Sequence, residues 1–330
     1  MKIYSITTSI ENIELKTPFK TALRTTSSVE FVRVCINGEF FGEAPATKAI
    51  TGEDLKSISQ DIKSVKELLF NKTSSEALKL LHTLKIGSSA KAAIDIALHY
   101  MQKDFFKVQD PTPIQTDITI SLDSLSKMLA DAKLAFSSGC DKLKVKVGSD
   151  VTHAIEVVKT IAKELPLAKI LVDANQAWSK SQSFEFIEQM RGVSIELIEQ
   201  PVVAKDLKSL KEITAYSHIP ILADEAVFSL EDVKNVWQSK SANMINIKLM
   251  KCGGVGKAIE ILEFARAKGI KCMLGSMLEG PYSINAAIYL AFAYRDVVAF
   301  VDLDSPLLYK ELPLELEFSF SGSFIKPQKK

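Results

Sequence analysis

Leu143-Lys144-Val145-Lys146-Val147-Gly148 reads as a β-strand with two ammonium groups on one face. Side chains alternate faces along a strand, so Lys144 and Lys146 share one side and Leu143, Val145 and Val147 the other. On a solvent face the pair would have no consequence. Inside an enclosed site each lysine would lower the other's affinity for a proton, and one would become a plausible base. What surrounds this strand decides between the two readings.

From about residue 116 onward, short apolar strands alternate with amphipathic helices. Strands are expected at Ile118–Leu122, Lys142–Val147, Lys169–Val172, Ser194–Ile198, Ile219–Leu222, Met244–Ile247, Lys271–Leu274 and Phe300–Leu303. Eight strands with helices between them predict an α/β fold with parallel βα repetition, closed into a barrel over residues 116–310. No GxGxxG follows the first strand, which argues against a dinucleotide-binding sheet. Gly253-Gly254 reads as a turn into a helix.

Residues 1–115 read as an α+β unit. Apolar and polar residues alternate over Ile3–Ser9, Val32–Ile36 and Phe40–Gly42, which predicts an antiparallel sheet. A helical pattern runs from Gly52 to about Lys103, and Asp110-Pro111-Thr112-Pro113 ends it. The tail from residue 311 alternates again and is expected to return to this first unit as a strand.

Composition excludes several partners. The chain of 330 residues is 47% hydrophobic and 25% charged with a net charge of +1, so neither nucleic acid nor a basic partner is indicated. The four cysteines are scattered without a CxxC and read as reduced thiols. No apolar leader and no membrane-length run is present, so a cytoplasmic location is expected. His82, His99, His153 and His218 lie away from the strand ends and read as structural or surface residues.

Charged residues recur at the C-terminal strand ends. Lys146, Asp173, Glu199, Asp224 and Lys248 follow one another at intervals of 27, 26, 25 and 24 residues. That is one per βα unit, at the barrel face where βα loops build active sites. Asp173, Glu199 and Asp224 would converge, and converging carboxylates need a cation. Oxygen ligands without histidine or cysteine favour Mg²⁺, or Mn²⁺, over zinc. Lys146 and Lys248 would then face each other across the barrel with the metal between. Two opposed bases about one carbon suit a racemase or epimerase. One lysine removes an α-proton, the other returns a proton to the opposite face, and the metal compensates the negative charge. A free lysine titrates near ~10.4, too high for a good base near neutrality. Lys144 and the metal are expected to lower Lys146, and Lys144 to help hold the substrate carboxylate.

The residues carrying this constellation resemble those of the enolase superfamily, in its muconate-lactonising-enzyme subgroup. Lys144-Val145-Lys146 matches the Lys-x-Lys motif, Asp173, Glu199 and Asp224 the metal ligands, Lys248 the second base, and Asn175 an Asp-x-Asn pattern. The resemblance spans the chain. It implies a modified (β/α)7β barrel, a capping domain built from residues 1–115 with 311–330, one Mg²⁺ per subunit, and a homo-oligomer.

Two features resemble the dipeptide epimerases of that subgroup. Asp302-Leu303-Asp304 is similar to the Asp-x-Asp motif that holds a substrate's α-ammonium group, for which two carboxylates are physically suited. Arg24, in the loop Pro18-Phe19-Lys20-Thr21-Ala22-Leu23-Arg24, matches an arginine that pairs with a glutamate side chain. Thr119 and Ser276 fall where the family contacts substrate. The resemblance implies epimerisation of L-Ala-L-Glu and L-Ala-D-Glu in murein peptide metabolism. Epimerisation of other L-Ala-L-Xaa dipeptides, o-succinylbenzoate synthesis, N-acylamino acid racemisation and metal-dependent peptide binding without catalysis remain alternatives. Glu279-Gly280-Pro281 has no reading from sequence.

Overall fold

The apolar alternation of the first 45 residues folds as an antiparallel sheet, β1 (Ile6–Lys20), β2 (Thr25–Ile36) and β3 (Phe40–Pro45), in that order. The structure, a computed structural model, describes residues 1–20, 25–102 and 105–328. Four helices follow: α1 (Lys48–Thr51), α2 (Leu55–Leu69), α3 (Ser74–Leu81) and α4 (Ser88–Tyr100). The alanines of α4 give it a flat face, and β3 comes close enough that a Cβ at Gly42 would lie 2.1 Å from the Ala93 carbonyl. Glycine is required there by that approach.

β4 (Ile114–Gln115) leads to the barrel: β5 (Ile118–Ile120), α5 (Leu125–Ser137), β6 (Lys142–Lys146), α6 (Val151–Glu164), β7 (Lys169–Asp173), α7 (Lys180–Gln189), β8 (Ile195–Glu199), α8 (Leu207–Tyr216), β9 (Ile221–Ala223), α9 (Leu230–Ser239), β10 (Met244–Lys248), α10 (Leu249–Cys252), α11 (Val255–Lys268), β11 (Lys271–Gly275), α12 (Pro281–Ala293) and β12 (Val298–Asp302). All eight expected strands form, and they pair parallel in sequence order from β5 to β12. Helices bury one stripe on them; in α6 this is Val151, Ala154, Val157, Val158 and Ile161, the i, i+3, i+4 spacing of an amphipathic helix.

Between β12 and β5 individual hydrogen bonds do the joining. Asp117 N donates to Val301 O (2.9 Å), Leu303 N to Thr116 Oγ1 (2.9 Å), and Thr119 N to Asp304 Oδ2 (2.7 Å). Inside, Leu171, Leu197, Leu222, Met244 and Met273, with Phe300 against them, form an apolar plug. The charged residues lie above it, at the C-terminal strand ends.

After α13 (Ser305–Leu308), the tail forms β13 (Phe318–Ser321) and β14 (Phe324–Pro327). These strands pair with β4 in a separate sheet and not with β1–β3. The tail still reaches the first unit through side chains. Glu315 pairs with Arg33 (3.2 Å) and Glu317 accepts from Tyr100 (3.2 Å). Among the described residues no helix is long and apolar enough to cross a membrane.

Candidate active site

The strand β6 settles the opening question: Lys144 and Lys146 point into the barrel and are 1% and 7% exposed. Lys146 Nζ lies 2.6 Å from Asp173 on β7. Lys248 Nζ on β10 lies 2.8 Å from Asp224 beyond β9. β6 and β10 are four strands apart in an eight-stranded barrel, so the two lysines come from opposite walls. Each is held by a carboxylate from the adjacent strand on the inner side of the pair. Both line one cavity with Asp224, Glu225, Asn175, Thr119, Ser276, Asp302 and Asp304. Phe19, Ala49 and Ile50 of the capping unit, with Met277 and Leu278, supply its apolar wall, and Thr47 lines it beside them.

Lys144 does not line this cavity. Its ammonium sits beneath it, 2.6 Å from Asp302, 2.7 Å from Glu199 and 3.2 Å from Asp173. Burial opposes its charge, but these carboxylates outweigh burial and hold it well above the usual lysine range. It is therefore a fixed cation tying the Asp-x-Asp segment to the carboxylates of β7 and β8.

Local backbone geometry aims the carboxylates inward. Asn175, Gln176 and Gln200, just past Asp173 and Glu199, have φ of 43°, 67° and 36°. These left-handed turns bend the chain off the barrel axis at once, a conformation costly for non-glycine residues and kept where the surroundings fix it. Gln200 Oε1 accepts from Asp224 N (3.0 Å) and Ala226 N (3.1 Å), coupling the end of β8 to that of β9. Asn246 Nδ2 donates to Glu199 Oε1 (2.8 Å).

Burial raises the energy of every charge here, and neighbours decide the outcome. For Asp173 burial is outweighed by Lys146 and Lys144, and it titrates at about 2. Asp224 is likewise held low, by Lys248 and Lys251. Burial, with Asp173 beside it, pushes Glu199 up to about 7. Burial, with Asp224 beside it, pushes Glu225 up to about 8. Lys248 is held above its usual range because Asp224 outweighs its desolvation. Asp173, Glu199 and Asp224 form an all-oxygen donor set on three consecutive strands, and a lysine ammonium is already drawn between the first two. By donor chemistry alone, such an all-oxygen set would suit a hard divalent cation such as Mg²⁺.

Several participants escaped the sequence reading. Lys251, one helical turn after Lys248, is 2% exposed and donates to the carboxylate and the carbonyl of Asp224 and to Asn246 O (3.0 Å). Its signal was a second lysine, three residues on, at a strand-to-helix turn. Glu279 now has a reading: its carboxyl accepts from Met277 N (2.8 Å), and its carbonyl accepts from Tyr309. It shapes the Ser276–Leu278 segment that walls the cavity. Ser276 N donates to Asp302 O (3.0 Å). Arg24 lies outside the described residues; Phe19 lines the cavity, and Lys20 is tied to Asp123 at 2.6 Å.

A family model described as "Enolase C-terminal domain-like" matches residues 127–330. The chain belongs to the enolase superfamily. It is 63% identical to the L-amino acid-D/L-Glu epimerase of Sulfurimonas denitrificans, over 99% of this chain and 100% of that one. It superimposes with a TM-score of 0.93 and 36% identity on a substrate-liganded complex of the L-Ala-D/L-Glu epimerase from Bacillus subtilis, covering 99% and 97% of the two chains. A dipeptide epimerase from Enterococcus faecalis V583, complexed with Mg and the dipeptide L-Leu-L-Tyr, matches with a TM-score of 0.93, 30% identity and coverage of 100% and 98%. The nearest functional class in these comparisons is thus the isomerases, as epimerases acting on dipeptides.

Proposed function

We propose that this chain is a Mg²⁺-dependent epimerase of dipeptides with a free amino terminus, and that L-Ala-L-Glu and L-Ala-D-Glu are among its substrates. The observation carrying this is the pairing of two buried lysines from opposite barrel walls with two buried aspartates at the end of the last strand. The lysines suit proton exchange on both faces of an α-carbon. Asp302 and Asp304 suit an ammonium group.

Bound at Asp173, Glu199 and Asp224, a divalent cation would offset the negative charge that builds on the substrate carboxylate during proton abstraction. This chain's residues do the rest. Lys146 and Lys248 exchange the α-proton on opposite faces. Lys248, held protonated beside Asp224, is in the form that delivers a proton. Lys144 keeps Asp302 ionised and fixes its carboxylate. Asp304, anchored on Thr119 N, supplies the second acceptor for the amine. Phe19, Ile50, Met277 and Leu278 exclude water from the exchanging carbon.

The name of the S. denitrificans relative supports a glutamate at the second position with latitude at the first. The E. faecalis complex supports keeping an apolar second residue as an alternative. Murein peptides are the natural source of a D-configured glutamate, and we take their metabolism as the setting. The test is incubation with Mg²⁺ and L-Ala-D-Glu in D₂O, followed by mass and NMR analysis. We expect deuterium at the glutamate α-carbon and accumulation of the L,L epimer; absence of exchange overturns the reading. The same assay on L-Xaa-L-Glu and L-Ala-L-Xaa libraries separates the two specificities.

A further inference from the structure

Asp117 is a buried carboxyl that the proposed chemistry does not use. It precedes β5 and shares a face with Thr119, two residues on. It is 1% exposed, and apart from the neighbouring Asp302 carboxyl neither of its oxygens has a hydrogen-bond partner among the described residues. A buried polar group without a partner is costly and calls for an explanation. Carboxylate oxygens of Asp117, Asp302 and Asp304 lie within 4.8 Å of one another.

The charged groups around Asp117 are Asp302 and Asp304 at the end of β12, and Lys142 and Lys144 on β6. Lys144 is shared among Asp302, Glu199 and Asp173. Lys142 lies over the Phe300 ring, 5.6 Å from its centroid. Three buried carboxyls at this spacing, with Lys144 shared by Glu199 and Asp173 and Lys142 the other cation beside Asp117, are held from all being ionised together. Asp302 has Lys144, and Asp304 has the Thr119 N–H. Asp117 has neither, so the proton resides there. Burial and the neighbouring Asp302 indeed push its carboxyl well above the usual range.

We propose that Asp117 is a positioning residue that keeps the amine site loaded with a proton while it is free, and that an arriving α-ammonium displaces this proton to solvent. Binding of a dipeptide with a free amino terminus is then coupled to proton release. This rests on the reading of Asp302 and Asp304 as the ammonium site. Only a proton moves, from the Asp117 carboxyl to water, and the ammonium replaces its charge. No bond of the peptide changes.

The experiment is titration calorimetry of the Mg²⁺-loaded protein at pH 7 with an epimerically equilibrated L-Ala-L-Glu and L-Ala-D-Glu mixture. Phosphate and Tris buffers, which differ in ionisation enthalpy, give the proton count. We expect release of about one proton per dipeptide bound by the wild type. Asp117→Asn, isosteric but unable to titrate, should release less than about half as much, and Asp117→Glu should restore the release. An infrared difference spectrum of the wild type supplies a variant-free check: a protonated-carboxyl band should disappear on dipeptide binding. No release by the wild type, no loss of that band, or equal release by wild type and Asp117→Asn overturns the proposal. α-Deuterium incorporation reports separately on function. Exchange without proton release removes only this proposal, whereas absence of exchange removes the functional reading and this proposal together.

Discussion

Two lysines on opposite barrel walls carry different consequences when removed. Lys248→Met is expected to lower epimerisation by about 10²–10⁴-fold, the usual worth of a positioned acid or base. It should still exchange the α-proton of one epimer in D₂O, because Lys146 remains on the other face. Lys146→Met should show the mirror pattern with the other epimer, and α-deuterium NMR of each stereoisomer distinguishes them. Exchange of both epimers by either variant would show that the lysines do not divide the two faces. Lys251 makes a different kind of contribution. Its removal leaves the Asp224 carboxylate with one cation fewer and takes one donor each from the Asp224 and Asn246 carbonyls in a buried site. Lys251→Met should destabilise the metal-free protein by about 1.5–3 kcal/mol, the worth of a lost hydrogen bond to a charged group in a buried site where Lys248 still pairs Asp224, measured as a shift of the urea transition. The expectation that Lys144 lowers Lys146 and touches the substrate carboxylate came from its place on the strand. In the structure Lys144 is matched by three carboxylates from β7, β8 and the end of β12, which sequence order could not bring to it.

At the scale of elements, the capping unit is docked on the barrel by carboxylates that cap barrel helices. The N-caps of α11 and α12 are Gly254 and Gly280, and neither supplies a side-chain bond. Asp95 of α4 accepts instead from Val255 N (2.6 Å) and Gly256 N (3.3 Å), with His82 and His99 each 3.1 Å from its carboxylate. Glu43 of β3 accepts from Tyr282 N (2.8 Å) while paired with Arg33 (2.7 Å). Free N–H groups and the positive end of each helix favour a carboxylate there; at Glu43 burial opposes the charge, so the carboxylate form is reached only toward about pH 7 and above. A Cβ at Gly254 would lie 2.4 Å from Asp95 Cγ, on a backbone with φ of 114°. Gly254→Ala should therefore destabilise the protein by about 2 kcal/mol or more and raise hydrogen exchange at Val255 and Gly256. Unchanged exchange would mean that the carboxylate is not the anchor. Since Thr47, Ala49 and Ile50 hang from this docked unit, the same variant should raise KM.

For the whole molecule, buried acids set the pH dependence of stability. Burial pushes Glu43 and Glu279 up to about 7 from an ordinary value of 4.5. Below 4.5 both are protonated in folded and unfolded chains, and neither affects the balance. Between 4.5 and 7 the unfolded chain ionises them while the folded one does not, so stability falls as pH rises, then levels off above 7. Each contributes a loss on the order of 3 kcal/mol across that window. His99, raised by Asp95 against the opposing effect of burial, adds to the decline as pH climbs past its folded value. Urea melts at pH 5, 6, 7 and 8 should show this decline, and Glu43→Gln should reduce it. A profile unaltered by that substitution would mean that Glu43 is ionised throughout.

The sequence alone determined the barrel and the residues at its mouth. Apolar runs at βα spacing are buried by parallel pairing, and a strand's period of two puts Lys144 and Lys146 on one face and Val145 on the other. It also carried the intervals that put Asp173, Glu199, Asp224 and Lys248 on one rim. Only the tertiary structure decided how those charges are partnered. Lys144 under the cavity, Lys251 on Asp224, the unpaired Asp117 and the trans caps from Asp95 and Glu43 all join residues remote in sequence or on different elements. The tail followed the same division. Its alternation announced strands, but their pairing with β4 in a separate sheet was decided only by the tertiary structure. Local pattern sets which side of an element a charge occupies; its charge state depends on what the rest of the chain packs against it.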